Sequence, residues 1–368
     1  MTLRHGFTTG TAAAAAAKAA TLGLLFGKIP RQVDVPLPMG SRLDITIEEQ
    51  NIDSNQCMAA VIKDAGDDPD VTHGAMIRAV VTAQGQGVHL QGGSGVGLVT
   101  RPGLPVPVGE AAINPVPRQQ ITLAVQEALE LKHNQSANFP VPGLSITISV
   151  DNGATLAQKT FNPRLGIVNG ISILGTRGTV KPFSHWAYQA TIRQSLEVMR
   201  ACHIPCPALT TGGRSEKFLR QAVPELEDMA CVQVADFFFF SMRELGRRGF
   251  TQGLWGVFFG KLVKQAQGHR YTHAKSVNLD LKTLAHWCGQ CGFSPDDCQQ
   301  VAKANTARQV LEDFKNHPAF PSLLTLLTTK AIQHAQLFSQ HSHQPTPHID
   351  YVLFDFDGQV LHDTRGKA

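Results

Sequence analysis

Pro207-Ala208-Leu209-Thr210-Thr211-Gly212-Gly213-Arg214-Ser215-Glu216-Lys217-Phe218-Leu219-Arg220 reads as a short apolar strand, a hydroxyl- and glycine-bearing turn, and a helix whose first amides face that turn. The alternation continues, with strand-like runs at 229–235 and 253–259 and helical runs at 237–247 and 261–267. A long amphipathic segment, 185–202, precedes them. Strands alternating with helices predict a parallel sheet with helices packed on it. Residues 184–368 are therefore expected to form a Rossmann-like α/β domain that ends in a helical and strand tail.

Residues 1–183 have a different texture. Thr8-Thr9-Gly10-Thr11 can cap an alanine-rich helix at 12–25. Residues 33–47 alternate around Pro36, Pro38 and Gly40, which predicts two short strands and a turn. Further strands are expected at 58–62, 76–82, 88–91 and 144–150, a helix at 119–131, and a polar loop at 133–142. This half is expected to be an α+β domain with a mixed sheet, so the class of the whole chain is α/β with α+β in two domains.

Composition narrows the function. An apolar share of 42% against 17% charged residues is that of a folded protein. The 33 basic and 29 acidic residues form no cationic stripe, which argues against nucleic acid as partner while permitting an acidic small molecule held by a few cations. Lys18 interrupts the apolar stretch 12–25, and no other stretch reaches the ~20 residues of a membrane span, so an internal helix and no membrane partner are expected. Seven scattered cysteines predict reduced thiols in a cytoplasmic protein.

Several motifs carry chemistry, each with a plain structural alternative. Residues 63–74 hold Asp64, Asp67, Asp68 and Asp70, whose repulsion must be compensated by a cation, a metal, backbone amides or water; a solvated acidic turn fits equally. The glycine-rich stretch from Gly92 to Gly97 could cradle an anion or simply turn the chain, and no P-loop lysine follows it. Arg118, Arg164, Arg177 and Lys181 stand in loops of the composition that forms ligand walls, or long connections. The run Phe237 to Phe240 cannot bury all four rings on one helix face. Cys288 and Cys291 with His286 and Cys298 lack the second pair of a zinc site, so no resident metal is expected. Phe354-Asp355-Phe356-Asp357-Gly358 resembles a haloacid-dehalogenase nucleophile motif, but only ten residues follow Gly358, and an edge strand ending in an Asp-Gly turn is expected instead.

Taken in order, a set of blocks resembles the CbiD family, the cobalt-precorrin-5B C1-methyltransferases of anaerobic cobalamin biosynthesis. They are Leu3-Arg4-His5-Gly6-Phe7-Thr8-Thr9-Gly10-Thr11, residues 63–74, 93–103, 109–118 and 159–178, Gly260-Lys261-Leu262-Val263-Lys264, and 268–273 closing on Thr272-His273. The resemblance covers the chain to about residue 284. It implies a two-domain α/β enzyme that moves a methyl group from S-adenosylmethionine to ring carbon C1 of cobalt-precorrin-5B, giving cobalt-precorrin-6A, with cobalt present only as part of the substrate. A non-catalytic corrinoid carrier or pathway scaffold is the alternative, and a nucleotide-dependent enzyme using Gly92 to Gly97 is a third reading. Self-association and hand-over to other corrin-pathway enzymes are compatible with it. The resemblance also leads one to expect a histidine before Gly260, where this chain has Val257-Phe258-Phe259.

Methyl transfer from a sulfonium depends chiefly on in-line positioning, and the sulfur charge vanishes on the way, so a carboxylate pressed against it would favour the ground state. On that basis Asp67, Asp68, Asp70 and His73 are the candidate catalytic groups. Thr8, Thr9, Gly10, Thr210, Thr211, Gly212 and Gly213 are candidates for the donor. Lys63, Arg101, Arg118, Arg164, Lys261, Lys264 and His273 are candidates for the acid side chains of the macrocycle.

Overall fold

A computed structural model describes residues 3–135, 143–274 and 276–366. The chain divides into two compact units, Met1–Ser184 and His185–Ala368, and is of mixed α/β type.

The first unit is organised by the helix Thr9–Phe26. Thr8 caps it, its hydroxyl accepting from the Thr11 amide at 3.2 Å, and Gly27 ends it in the left-handed conformation. Ala12 to Ala17, Ala19 and Ala20 are all wholly buried. Such short side chains let the helix lie between the sheet strands Gln56–Ile62 and Met76–Ala83 and a second helix, Pro115–Gln135. The helix is long and apolar enough to cross a membrane, yet 83% of it is buried inside the unit. Lys18, which breaks its apolar run, donates from Nζ to Glu127 at 2.5 Å and to the Asp34 carbonyl at 2.8 Å, and Arg42 grips the same Glu127 through two bonds of 2.9 Å.

The five-stranded sheet runs in the order Glu49–Ile52, Gln56–Ile62, Met76–Ala83, Leu144–Val150, Val88–Gly92, antiparallel except at the last pair. Gln32–Pro36 and Arg42–Thr46 form the expected hairpin. Glu49–Ile52 escaped the sequence reading because it is exposed throughout and polar but for Ile52, with no alternation. The helix expected at 119–131 is longer at both ends and takes in residues 133–135 of the expected loop; the rest of that loop lies outside the described residues.

The blocks that carry the resemblance in this unit are threaded together by backbone. The Phe7 amide donates to the Asp64 carbonyl at 2.8 Å, the Asp67 amide to Arg4 at 3.0 Å, the Thr8 amide to Gly178 at 2.9 Å and the Gly97 amide to Ile171 at 2.8 Å. Gly6 lies so close to the next segment that a Cβ there would sit 2.3 Å from the Ala65 carbonyl carbon. The glycines therefore permit backbone to pass backbone.

In the second unit, Cys231–Gln233, Ala208–Thr210, Gln252–Phe258 and His348–Phe354 pair in parallel, and Val360–Asp363 closes the edge antiparallel. Numbered along the chain the order is 2-1-3-4-5, a doubly wound arrangement that reverses direction between its first and third strands. Gly213–Ala222 packs Leu219 on one face with Leu254, Val352 and Phe354. Trp255, Val257 and Tyr351 face the helices Phe238–Arg247 and Phe320–Ser339 on the other. Two expectations are corrected. Two helices begin earlier than read, at Gly213 rather than Ser215 and at Phe259 rather than Lys261. The strand near the C-terminus is not an edge: its run Tyr351 to Phe354 is buried because both faces are covered, and the edge is Val360–Asp363, reached through the Asp-Gly turn. Of the phenylalanine run, Phe237, Phe238 and Phe240 are buried, and the half-buried Phe239 lies under the Arg270 guanidinium, 3.9 Å from its ring centre.

Two predictions follow from this packing. The Arg42 bonds outweigh burial and hold Glu127 at about 2, well below its ordinary 4.5. A depressed carboxyl contributes stability above its unfolded value and loses it as pH falls through the folded one. Glu127→Gln should thus melt below wild type at neutral pH, with the gap closing between about pH 4.5 and about pH 2; a constant gap would contradict the pairing. Gly6→Ala should cost about 1–3 kcal/mol in denaturant unfolding because backbone must move to admit the methyl, and wild-type stability in that variant would refute the close contact.

Candidate active site

In the first unit the acidic loop is compensated by the protein itself. Arg4 pairs with Asp64, whose carboxyl is pulled below its usual range by that bond. The Asp67 carboxylate accepts from the Arg4 amide at 2.7 Å and Asp68 from the Phe183 amide at 2.9 Å. Asp70 pairs with the buried Lys63 and accepts from the Thr72 amide and hydroxyl, each at 2.8 Å; burial raises its pKa but these partners bring it below the ordinary value. The exposed His73 accepts at Nδ1 from the Ala65 amide at 3.1 Å. Of the four candidate catalytic groups, Asp67, Asp68, Asp70 and His73, the first and last have exposed side chains.

Thr8, Thr9 and Gly10 are bound up in the same framework. Thr8 caps the alanine helix, the Thr9 hydroxyl accepts from the Leu174 amide at 2.9 Å, and the Gly10 amide donates to the Leu174 carbonyl at 3.0 Å. The amides of Gly93, Val96 and Gly97 all donate to backbone carbonyls, so these three are not available to the anion read into Gly92 to Gly97. Arg118 is pinned by the Ile113 carbonyl at 2.8 Å and by Glu110 at 3.0 Å. Arg101 and Arg164 come together, Nη1 of the first donating to the carbonyl of the second at 3.3 Å, and both side chains are half exposed.

The second unit gathers the other candidates at the carboxyl edge of its parallel sheet. The Thr210 hydroxyl is buried and donates to Val232 at 3.4 Å, and Thr211 and Ser215 share a hydroxyl contact of 3.1 Å. Ser215 also closes on Gly212, accepting from its amide at 3.2 Å and donating to its carbonyl at 2.9 Å. Above this turn there is room: a Cβ on Gly212 would meet nothing within 4 Å, and one on Gly213 only the Gln233 amide nitrogen at 3.8 Å.

One hydrogen bond ties the turn to a polar cluster beside it. The Val234 amide donates to the Thr210 carbonyl at 2.7 Å, and two residues on, past Ala235 in the left-handed region, Asp236 pairs with Lys261. Asp236 also accepts from the Thr272 hydroxyl at 3.3 Å. Lys261 donates to the Thr272 carbonyl at 3.1 Å, and the buried Lys264 to His273 at 3.2 Å. Burial and the Lys264 ammonium pull Lys261 down to about 8, while the Asp236 carboxylate in contact with it acts in the opposite sense. Burial likewise lowers Lys264. Half-exposed rings flank the cluster, with Tyr271 stacked on His273 at 5.9 Å and standing 5.3 Å from Phe237.

Thr210, Thr211, Gly212, Gly213, Lys261, Lys264 and His273 are thus brought to one edge, at the point where strand order reverses and open α/β sheets receive ligands. Lys63, Asp67, Asp68, Asp70, His73, Arg101, Arg118 and Arg164 belong to the first unit. Asp236 and Thr272 were missed as site residues; Thr272 stood in the block closing on Thr272-His273, whereas Asp236 was marked in the sequence only by a polar break between apolar runs.

The CbiD family model matches residues 1–182, and the model of the CbiD C-terminal domain matches residues 271–365. A cobalt-precorrin-5B C(1)-methyltransferase from Nitratidesulfovibrio vulgaris is 44% identical over 98% of this chain and 92% of its own length. Another bearing that name, from Geobacillus kaustophilus, is 46% identical over 84% of this chain and 82% of its own. A crystal structure of a cobalamin biosynthesis protein from Archaeoglobus fulgidus shares 27% identity over 72% of this chain and 80% of that one, with a TM-score of 0.40. With two family models matched in order and identities above 40% along most of its length, the chain belongs to the CbiD family.

Proposed function

We propose that the protein is a methyltransferase that carries a methyl group from S-adenosylmethionine to C1 of cobalt-precorrin-5B, giving cobalt-precorrin-6A. The names of its relatives support the step. The observation that supports a site for it is the open Thr210 to Gly213 turn beside Asp236, Lys261 and Lys264 at the carboxyl edge of a parallel sheet.

In this reading the donor lies over the Gly212 turn, where no side chain intrudes. The C–S bond breaks with its electron pair passing to sulfur, a C–C bond forms at C1, and the macrocycle releases a proton. Alignment supplies most of the acceleration. The hydroxyls and amides of the turn solvate the donor without placing a carboxylate against its sulfonium, which preserves the drive to discharge it. Lys261 and His273, at the same edge, serve the acetate and propionate groups. Seven free thiols suit a reducing, cytoplasmic setting.

Anaerobic incubation with isotope-labelled donor and cobalt-precorrin-5B should add one labelled methyl, detected by mass. Tetrapyrrole binding without donor binding would favour the carrier instead. Gly212→Val fills space that the fold does not need, so it should melt with wild type while its affinity for S-adenosylhomocysteine falls at least about tenfold. Unchanged affinity would move the donor away from this turn.

A further inference from the structure

Arg214 opens the helix beside the Gly212 turn, and its guanidinium is enclosed by three rings from separate parts of the chain. Its central carbon lies 5.7 Å from the centres of Phe218 and Phe258 and 5.9 Å from that of Phe356. It also donates from Nη2 to the Phe356 carbonyl. Phe258 and Phe356 stack with planes 6° apart, and Phe218 meets Phe258 edge-on at 82°. The loop bearing Phe356 is fixed by Asp355, which accepts from the amides of Asp357 at 2.9 Å and Gln359 at 2.8 Å. Phe258 is the residue standing where a histidine was expected, and here it walls this enclosure.

The side chain is nevertheless exposed, and the carboxylates of Glu216 on its helix and of Asp228 pair with Arg220 instead. A free surface arginine would lose much rotamer freedom on binding; one whose plane is already set by three rings and a carbonyl loses little. Rings behind a guanidinium leave its N–H fork as the edge presented to solvent, and that fork matches a carboxylate. Arg308, also over Phe356, is instead occupied by Glu312 at 2.7 Å.

We propose that Arg214 is a preorganised carboxylate clamp of the active site, with Phe218, Phe258 and Phe356 as positioning residues. The inference rests on the methyl-transfer reading. The carboxylate is either the α-carboxylate of the donor or an acetate or propionate arm of the macrocycle.

Calorimetry on the full chain separates these sources with S-adenosylhomocysteine, with 5′-methylthioadenosine, which lacks the carboxylate, and with cobalt-precorrin-5B under anaerobic conditions. If the donor is clamped, Arg214→Gln weakens S-adenosylhomocysteine about tenfold to a hundredfold and leaves 5′-methylthioadenosine unchanged. If the macrocycle is clamped, only cobalt-precorrin-5B weakens by that factor. Arg214→Lys, which keeps charge without the fork, should recover only part of the loss, and Phe356→Leu should show a smaller loss of the same pattern. Equal affinities for all three ligands in wild type and Arg214→Gln overturn the clamp and leave the methyl-transfer reading standing, as does an equal loss for both adenosine compounds. A wild type that binds neither S-adenosylhomocysteine nor cobalt-precorrin-5B overturns that reading and the clamp with it.

Discussion

Parallel pairing of Ala208–Thr210 with both Cys231–Gln233 and Gln252–Phe258 is the constraint on which the candidate site depends. Parallel strands end on the same side, so the segments that follow them must meet there whatever their distance in sequence. Thr211, Asp236 and Lys261 are neighbours for that reason. Because the chain moves outward to one side after the first strand and to the other after the third, a gap opens between their exits. Small residues at 212 and 213 leave it unfilled.

The first unit solves a different problem. Its loops are held by backbone touching backbone, and the glycines and buried alanines are what allow segments to approach so closely. Charges within it are consumed locally, as with Lys63 and Asp70 or Lys18, Arg42 and Glu127. A charged residue that already has a short, buried partner serves a ligand poorly, since breaking the pair leaves the other charge desolvated. Of the candidates chosen for charge, Lys63 and Asp70 are paired inside the framework, while Lys261 reaches the open edge as part of a pair with Asp236, so a ligand there meets the pair rather than a lone ammonium.

Periodicity made much of the architecture readable. The strand Leu144–Val150 and the alanine helix stand where apolar spacing put them, and the alternation of the second half is that of its parallel sheet. What failed to show in sequence was either unpatterned or assembled across distance. Glu49–Ile52 has no buried face to alternate with. The partner of Asp64 is Arg4, sixty positions away. Arg214, Phe258 and Phe356 form a group only because three strand exits converge, and no local rule links them. Chemistry that depends on exposed edges is set by the tertiary arrangement, so residue type could nominate Lys261 but not find Asp236.

His348–Phe354 joins the second sheet only after a long helical excursion through residues 259–339, yet it supplies an inner strand. Until that segment emerges from the ribosome, Gln252–Phe258 has an unpaired side and the apolar faces around Trp255 lie open. Such late, long-range closure slows folding and exposes a sticky ladder meanwhile. A nascent chain arrested before residue 348 would accordingly be a substrate for chaperones and prone to clump, and shortening the protein from that end would sacrifice the whole second unit rather than trim an appendage.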